Sequence, residues 1–143
     1  MKCTVVIDPQ CEEEIVIRAR ERSALVDQIE ELVKETNTEV IGYKDRNIAV
    51  LRPEEIFCCT VEEGRIFALT ASDKWLLKHR LYALEELLGN RFVKINQSCL
   101  VNTAQILRFD VSFAGALKVT LKNNYQDYVS RRQLKTVKER MGL

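Results

Sequence analysis

Apolar and polar residues alternate over Lys2 to Ile7 and again over Glu14 to Arg18, a period of two that predicts strands on either side of a turn at Asp8-Pro9. At Ser23, a residue suited to cap a helix, the period changes. Leu25, Ile29, Leu32 and Val33 recur at helical spacing, which predicts helix to near Glu35. Short strands over Val40 to Tyr43 and Ile48 to Leu51 flank the turn-forming Lys44-Asp45-Arg46-Asn47, and Pro53 marks a junction. Beyond it, Glu55 to Val61 and Arg65 to Thr70 predict a hairpin about Glu62-Glu63-Gly64, with a third strand around Trp75 to Leu77. Leu81, Leu84, Leu87 and Leu88 predict an amphipathic helix closed by Gly89. Phe92 to Ile95 returns to strand, and Ser98 to Gln105 reads as a turn or short helix. Ile106 to Val111, Ala116 to Leu121 and Tyr125 to Val129 read as a meander. Ser130-Arg131-Arg132-Gln133 has the S-x-x-Q form of a capping box, before a helix with Leu134, Val137 and Met141 on one face.

Strands broken by modest helices make an α+β chain in which antiparallel sheet predominates. The junction at Pro53 sets residues 1–50 apart from residues 51–143. A length of 143 residues suffices to bury a core. No run of about 18 apolar residues exists, so no membrane span is expected. The first residues hold too short an apolar stretch for a signal peptide, and a cytoplasmic location is expected.

Charge sharpens the division. Residues 1–50 carry 7 Lys and Arg against 11 Asp and Glu, whereas residues 91–143 carry 10 against 3. A basic part joined to an acidic one is the footprint of a chain that turns one portion towards a polyanion, although a solvated basic surface has the same composition. Cys3, Cys11, Cys58, Cys59 and Cys99 include no C-x-x-C pair, and His79 is the single histidine. Buried free thiols are expected, with no metal site and no cofactor. The lone histidine and the lack of a Gly-rich phosphate loop or paired carboxylates also argue against an enzyme.

The chemistry concentrates in Phe92 to Asn102, F-V-K-I-N-Q-S-C-L-V-N, and in Val129-Ser130-Arg131-Arg132. Both segments set side chains able to hydrogen-bond phosphates and base edges among strand-forming residues. Lys94 and Ser98 suit phosphate contact, and Asn96 either a base contact or the capping of the turn at Ser98. Asn102, between Val101 and Ile106, suits a buried structural amide. Trp75, Phe57, Phe67 and Phe92 have apolar neighbours that suit core packing more than base stacking. Cys99 is expected to be buried, its other reading being a redox-sensitive thiol beside Lys94.

Phe92, Lys94, Ser98, Val101, Asn102, Ile106, Ser130 and Arg131 together resemble the signature of the LytTR DNA-binding domain, a family of bacterial transcription regulators. Asn96 and Gln97 stand where that family has His and Arg. The resemblance covers about residues 51–143. It implies an elongated stack of small β-sheets whose inter-strand loops enter the major groove, with Gln97 and Arg131 at DNA-contacting positions. It also implies that the hairpin loop carrying Arg65 approaches the duplex; Arg132 has weaker support. Such regulators bind promoter direct repeats, which implies a homodimer, formed either in solution or only on double-stranded DNA, with residues 1–50, similar to the small β-α-β extension of stand-alone members, serving dimerisation or signal input. A protein- or RNA-binding β module is the other reading of the same pattern.

Overall fold

The computed structural model describes residues 2–12, 14–36 and 39–143, with the side chains of 35 and 36 outside the description. Helix α1 (Ala24–Thr36) follows a Ser23 hydroxyl that accepts from the Val26 N–H at 3.3 Å, the expected cap. Strands β1 (Val40–Lys44) and β2 (Asn47–Leu51) form a hairpin in which Asp45 takes a positive φ. Strands β3 (Cys58–Glu62) and β4 (Arg65–Leu69) form a second, turned by Glu63 and Gly64 at φ 51° and 76°. Positive φ at both central residues is the mirror-image turn whose twist matches a hairpin. β5 (Lys74–Leu77) leads into α2 (Leu81–Leu88), closed by Gly89 at φ 64°. Then come β6 (Phe92–Asn96), β7 (Cys99–Asn102), β8 (Ile106–Val111), β9 (Leu117–Leu121), β10 (Gln126–Tyr128) and α3 (Arg131–Met141).

Seven strands form one antiparallel sheet in the order β2-β1-β5-β4-β3-β7-β6, and β10-β9-β8 form a second. The pleat sends alternate residues of β3, β6 and β7 to opposite faces. Cys59, Leu100 and Phe92 join Leu81, Leu84 and Leu88 of α2 in one core. Cys58, Cys99, Val93 and Ile95 meet Leu117, Val119 and Leu121 of the second sheet and Val137 of α3 in another. The central strands are thus covered on both sides, and the loops at their ends take their positions from two cores.

Several expectations need correction. Residues 2–7 and 14–18 form no strand, so the extension keeps α1 and the expected strands after it but lacks the β element before it. Val5, Val6, Ile7, Ile15 and Val16 are instead 65–84% exposed. The stretch from Ser98 is not a turn or helix throughout: β7 occupies its centre and a 3₁₀ turn, Thr103–Gln105, its end. All four β7 residues are buried between β3 and β6, so no alternation marks the strand. The division at residue 50 crosses the β1–β2 hairpin, which belongs to the large sheet through Tyr43 paired with Leu76 of β5. Val40 and Leu51 lie in the α2 core, and a Cβ on Gly42 would stand 2.8 Å from that of Trp75. Phe67 is half-buried under the Lys74 ammonium and belongs to neither core. Cys3 and Cys11 are exposed, whereas Cys58, Cys59 and Cys99 are buried as expected.

Candidate nucleic-acid interface

Three loops that the sequence singles out are tied to one another by backbone and amide hydrogen bonds. The Val61 N–H donates to the Ser98 carbonyl at 2.8 Å, joining the β3–β4 hairpin to the β6–β7 turn. The Ser130 N–H donates to the Ile95 carbonyl at 2.8 Å, seating the start of α3 against the end of β6. Asn96 completes the set. Its Nδ2 donates to the Tyr128 carbonyl at 2.8 Å, and its Oδ1 accepts from the Ser98 N–H at 2.8 Å. Both ends of this amide bond the protein, so Asn96 caps the turn at Ser98, with one N–H and one oxygen lone pair left over. The pairing between β6 and β7 shifts register at this point, a bulge that lets Gln97 and Ser98 project at the tip.

Gln97 and Ser98 are exposed, and Lys94 is half-buried. Arg65, Lys94 and Gln97 come together around an open concavity of about 880 Å³. The same concavity is lined by Lys78, His79 and Arg80, from the loop between β5 and α2. Sequence reasoning missed this third contribution. The available signal was a run of three nitrogen-bearing side chains between a strand and a helix. Lys78 lies 4.3 Å from the centroid of the Tyr43 ring, and the buried Nδ1 of His79 has no hydrogen-bond partner among the described residues.

Arg131 and Arg132 are exposed at the first positions of α3, outside that concavity but beside Asn96 through the Ser130 and Tyr128 links. Ser130 is the N-cap residue, yet its hydroxyl makes no capping bond, so the expected capping box does not form. Among the described residues, Arg65, Lys94, Arg80, Arg131 and Arg132 take part in no ion pair. Glu62, which repels an approaching phosphate, is paired with Lys74, leaving Glu63 as the uncompensated acid of that hairpin.

Buried groups behind the loops are structural. Asn102 donates to the carbonyls of Pro53 at 3.2 Å and Ile56 at 3.0 Å and accepts from the Ala104 N–H at 3.0 Å, the expected structural role. A hydrogen bond with the Cys99 thiol, then burial, hold the Cys58 thiol well above its ordinary range, and burial pushes Cys59 up to about 12. Cys99 is itself fully buried, which keeps reagents from it and disfavours a reactive cysteine beside Lys94. Arg65, Arg80, Lys94 and the Gln97 amide around one open concavity can neutralise phosphates and present a donor and an acceptor to a base edge.

A sequence profile described as the LytTr DNA-binding domain matches residues 46–142. Uncharacterised HTH-type transcriptional regulators of Staphylococcus aureus strains NCTC 8325 and COL are each 33% identical to this chain over 104 residues, covering 73% of it and 71% of the relative. A LytTr DNA-binding domain from a methyl-accepting/DNA response regulator of Bacillus cereus superposes with a TM-score of 0.71. It covers 75% of this chain and 99% of that domain at 14% identity, a likeness of fold.

Proposed function

Because the chain belongs to the LytTr DNA-binding domain family, we propose that this DNA-binding, non-enzymatic transcription regulator reads promoter DNA through the linked loops described above. In this reading Gln97 addresses a base in the major groove. Arg65, Lys94, Ser98, Arg131 and Arg132 hold the phosphates on either side, joined by Lys78 and Arg80 of the β5–α2 loop. Asn96 positions these groups and touches no base. Two copies occupy repeated half-sites in a promoter, and the work is done in the bacterial cytoplasm. No described helix is long and apolar enough to cross a membrane, in keeping with that setting.

The observation that carries the reading is the convergence of ion-pair-free cations and one uncommitted amide on loops hydrogen-bonded into a single surface. A glutamine amide offers one donor and one acceptor, matching adenine N6 and N7, while guanine offers two acceptors and suits arginine. Operator selection from a random duplex library, run in parallel with wild type and Gln97→Arg, tests the proposal. Wild type is expected to enrich a repeated site, and the variant to shift one position of each half-site from A·T towards G·C. Absence of salt-dependent duplex binding by wild type would return the chain to the class of protein- or RNA-binding modules. An unchanged base preference would make Gln97 a loop scaffold.

A further inference from the structure

The large sheet has two edges, and they are treated differently. Strand β6 carries a bulge and is packed against α3. The outer strands of the small sheet are also guarded: β10 is three residues long and contains Asp127, and β8 contains a register shift with Arg108 and Asp110. Strand β2, Asn-Ile-Ala-Val-Leu, has none of these devices. It holds no charge or proline, pairs with β1 in unbroken register, and points Ile48 and Val50 outward at 69% and 55% exposure. An apolar, regular open edge is a template for another strand.

The same chain carries an extended segment whose pattern suits that edge. Residues 2–7 and 14–18 alternate as strands do, yet they pair with no strand among the described residues, and their Val and Ile side chains stand in solvent. Leu25 and Leu32 of α1 add further exposed apolar area. At these exposures the apolar side chains of arm, helix and edge present on the order of 1,000 Å² per chain, against the roughly 800 Å² per partner of a stable interface.

We propose that β2 is the docking edge for the N-terminal arm, residues 2–18, of a second copy of this chain, each copy giving its arm to the other. Exchange of identical elements closes as a two-fold pair in which every edge and every arm is used. This deepens the paired-copy part of the function proposed above and rests on it only for the consequence at DNA. The pair forms without DNA.

Sedimentation of the full chain without DNA tests it, with Val50→Lys in the edge, Ile15→Lys in the arm and Val111→Lys at a comparably exposed site on β8. Wild type and Val111→Lys are expected at the mass of two chains, and Val50→Lys and Ile15→Lys at the mass of one with unchanged circular dichroism. Hydrogen exchange on wild type gives a readout free of substitutions: amides of residues 2–7, 14–18 and 47–51 should gain protection together as concentration rises. Monomeric wild type at tens of micromolar would overturn the proposal. So would a dimer that Val50→Lys breaks and Ile15→Lys does not, since that result means two β2 strands pair directly. Single half-site affinity and its salt dependence should be equal in wild type and both monomeric variants, so a failure of DNA reading is separable from a failure of the dimer.

Discussion

Adjacent amides at positions 96 and 97 are predicted to fail in opposite ways when truncated. Asn96→Ala removes two hydrogen bonds of 2.8 Å, to the Tyr128 carbonyl and the Ser98 N–H. Each is worth about 0.5–1.5 kcal/mol net, and since the residue is only half-buried the pair should contribute about 1–2 kcal/mol. For a chain of this length that is a fall of roughly 3–7 °C in melting temperature. Gln97→Ala removes an exposed side chain and should leave stability within about 0.5 kcal/mol. Its loss appears at DNA: a bidentate base contact is worth about 1–3 kcal/mol of discrimination, or roughly 5- to 150-fold in preference for the operator. The assay pairs thermal melts with titrations of the selected operator and an unrelated duplex at fixed salt. Equal loss of stability in both variants would refute the assignment of brace and reader, as would a Gln97→Ala protein that keeps full operator preference.

Lys94→Ala, Arg131→Ala and Arg80→Ala should each weaken binding to all duplexes and flatten the plot of log affinity against log salt by about 0.9, and unchanged slopes would take these residues off the interface. A fragment beginning at residue 39 should melt cooperatively, whereas one beginning at Leu51 loses β1 and most of β2; burial of Val40 alone makes the shorter fragment at least about 2 kcal/mol less stable in urea. Alkaline pH should destabilise the fold. The unfolded Cys59 thiol ionises near its ordinary 9.0 and the folded one only near about 12, so the folded state holds a proton the unfolded state has lost. Stability is therefore complete below about pH 9 and falls above it by up to about 1.4 kcal/mol per pH unit for this thiol. The urea midpoint at pH 10 against pH 8 measures the fall, and Cys59→Ala should make the slope shallower.

Most of the antiparallel framework was legible because hairpins announce themselves: Glu63, Gly64 and Asn124 sit where positive φ is required, between alternating runs. Helices α2 and α3 showed their apolar stripes and α2 its closing glycine. Strand β7 was hidden because a strand buried on both faces has no alternation to read. The arm misled for the opposite reason. Its alternation is strong, but a strand needs a partner as well as a pattern, and no intrachain strand supplies one. At the site, the charges of Arg65, Lys94 and Arg131 could be seen. The commitment of Asn96 could not, because its partner Tyr128 lies 32 residues away. The contribution of Lys78, His79 and Arg80 depended on a fold that brings the β5–α2 loop beside the β6–β7 turn.

The hydrogen bonds from Val61 to Ser98, Ser130 to Ile95 and Asn96 to Tyr128 leave the reading loops little freedom to adjust independently. In the proposed reading, a surface braced in this way meets the duplex as a fixed template, so accommodation falls to the nucleic acid. Where the spacing of loops departs from that of straight B-form grooves, the duplex must bend or change its groove width, at a cost that depends on the flexibility of the steps being deformed. Selectivity should then extend to base pairs between the loops that no side chain touches. Flexible pyrimidine–purine steps at those positions should strengthen binding, and nicking the duplex there should do the same.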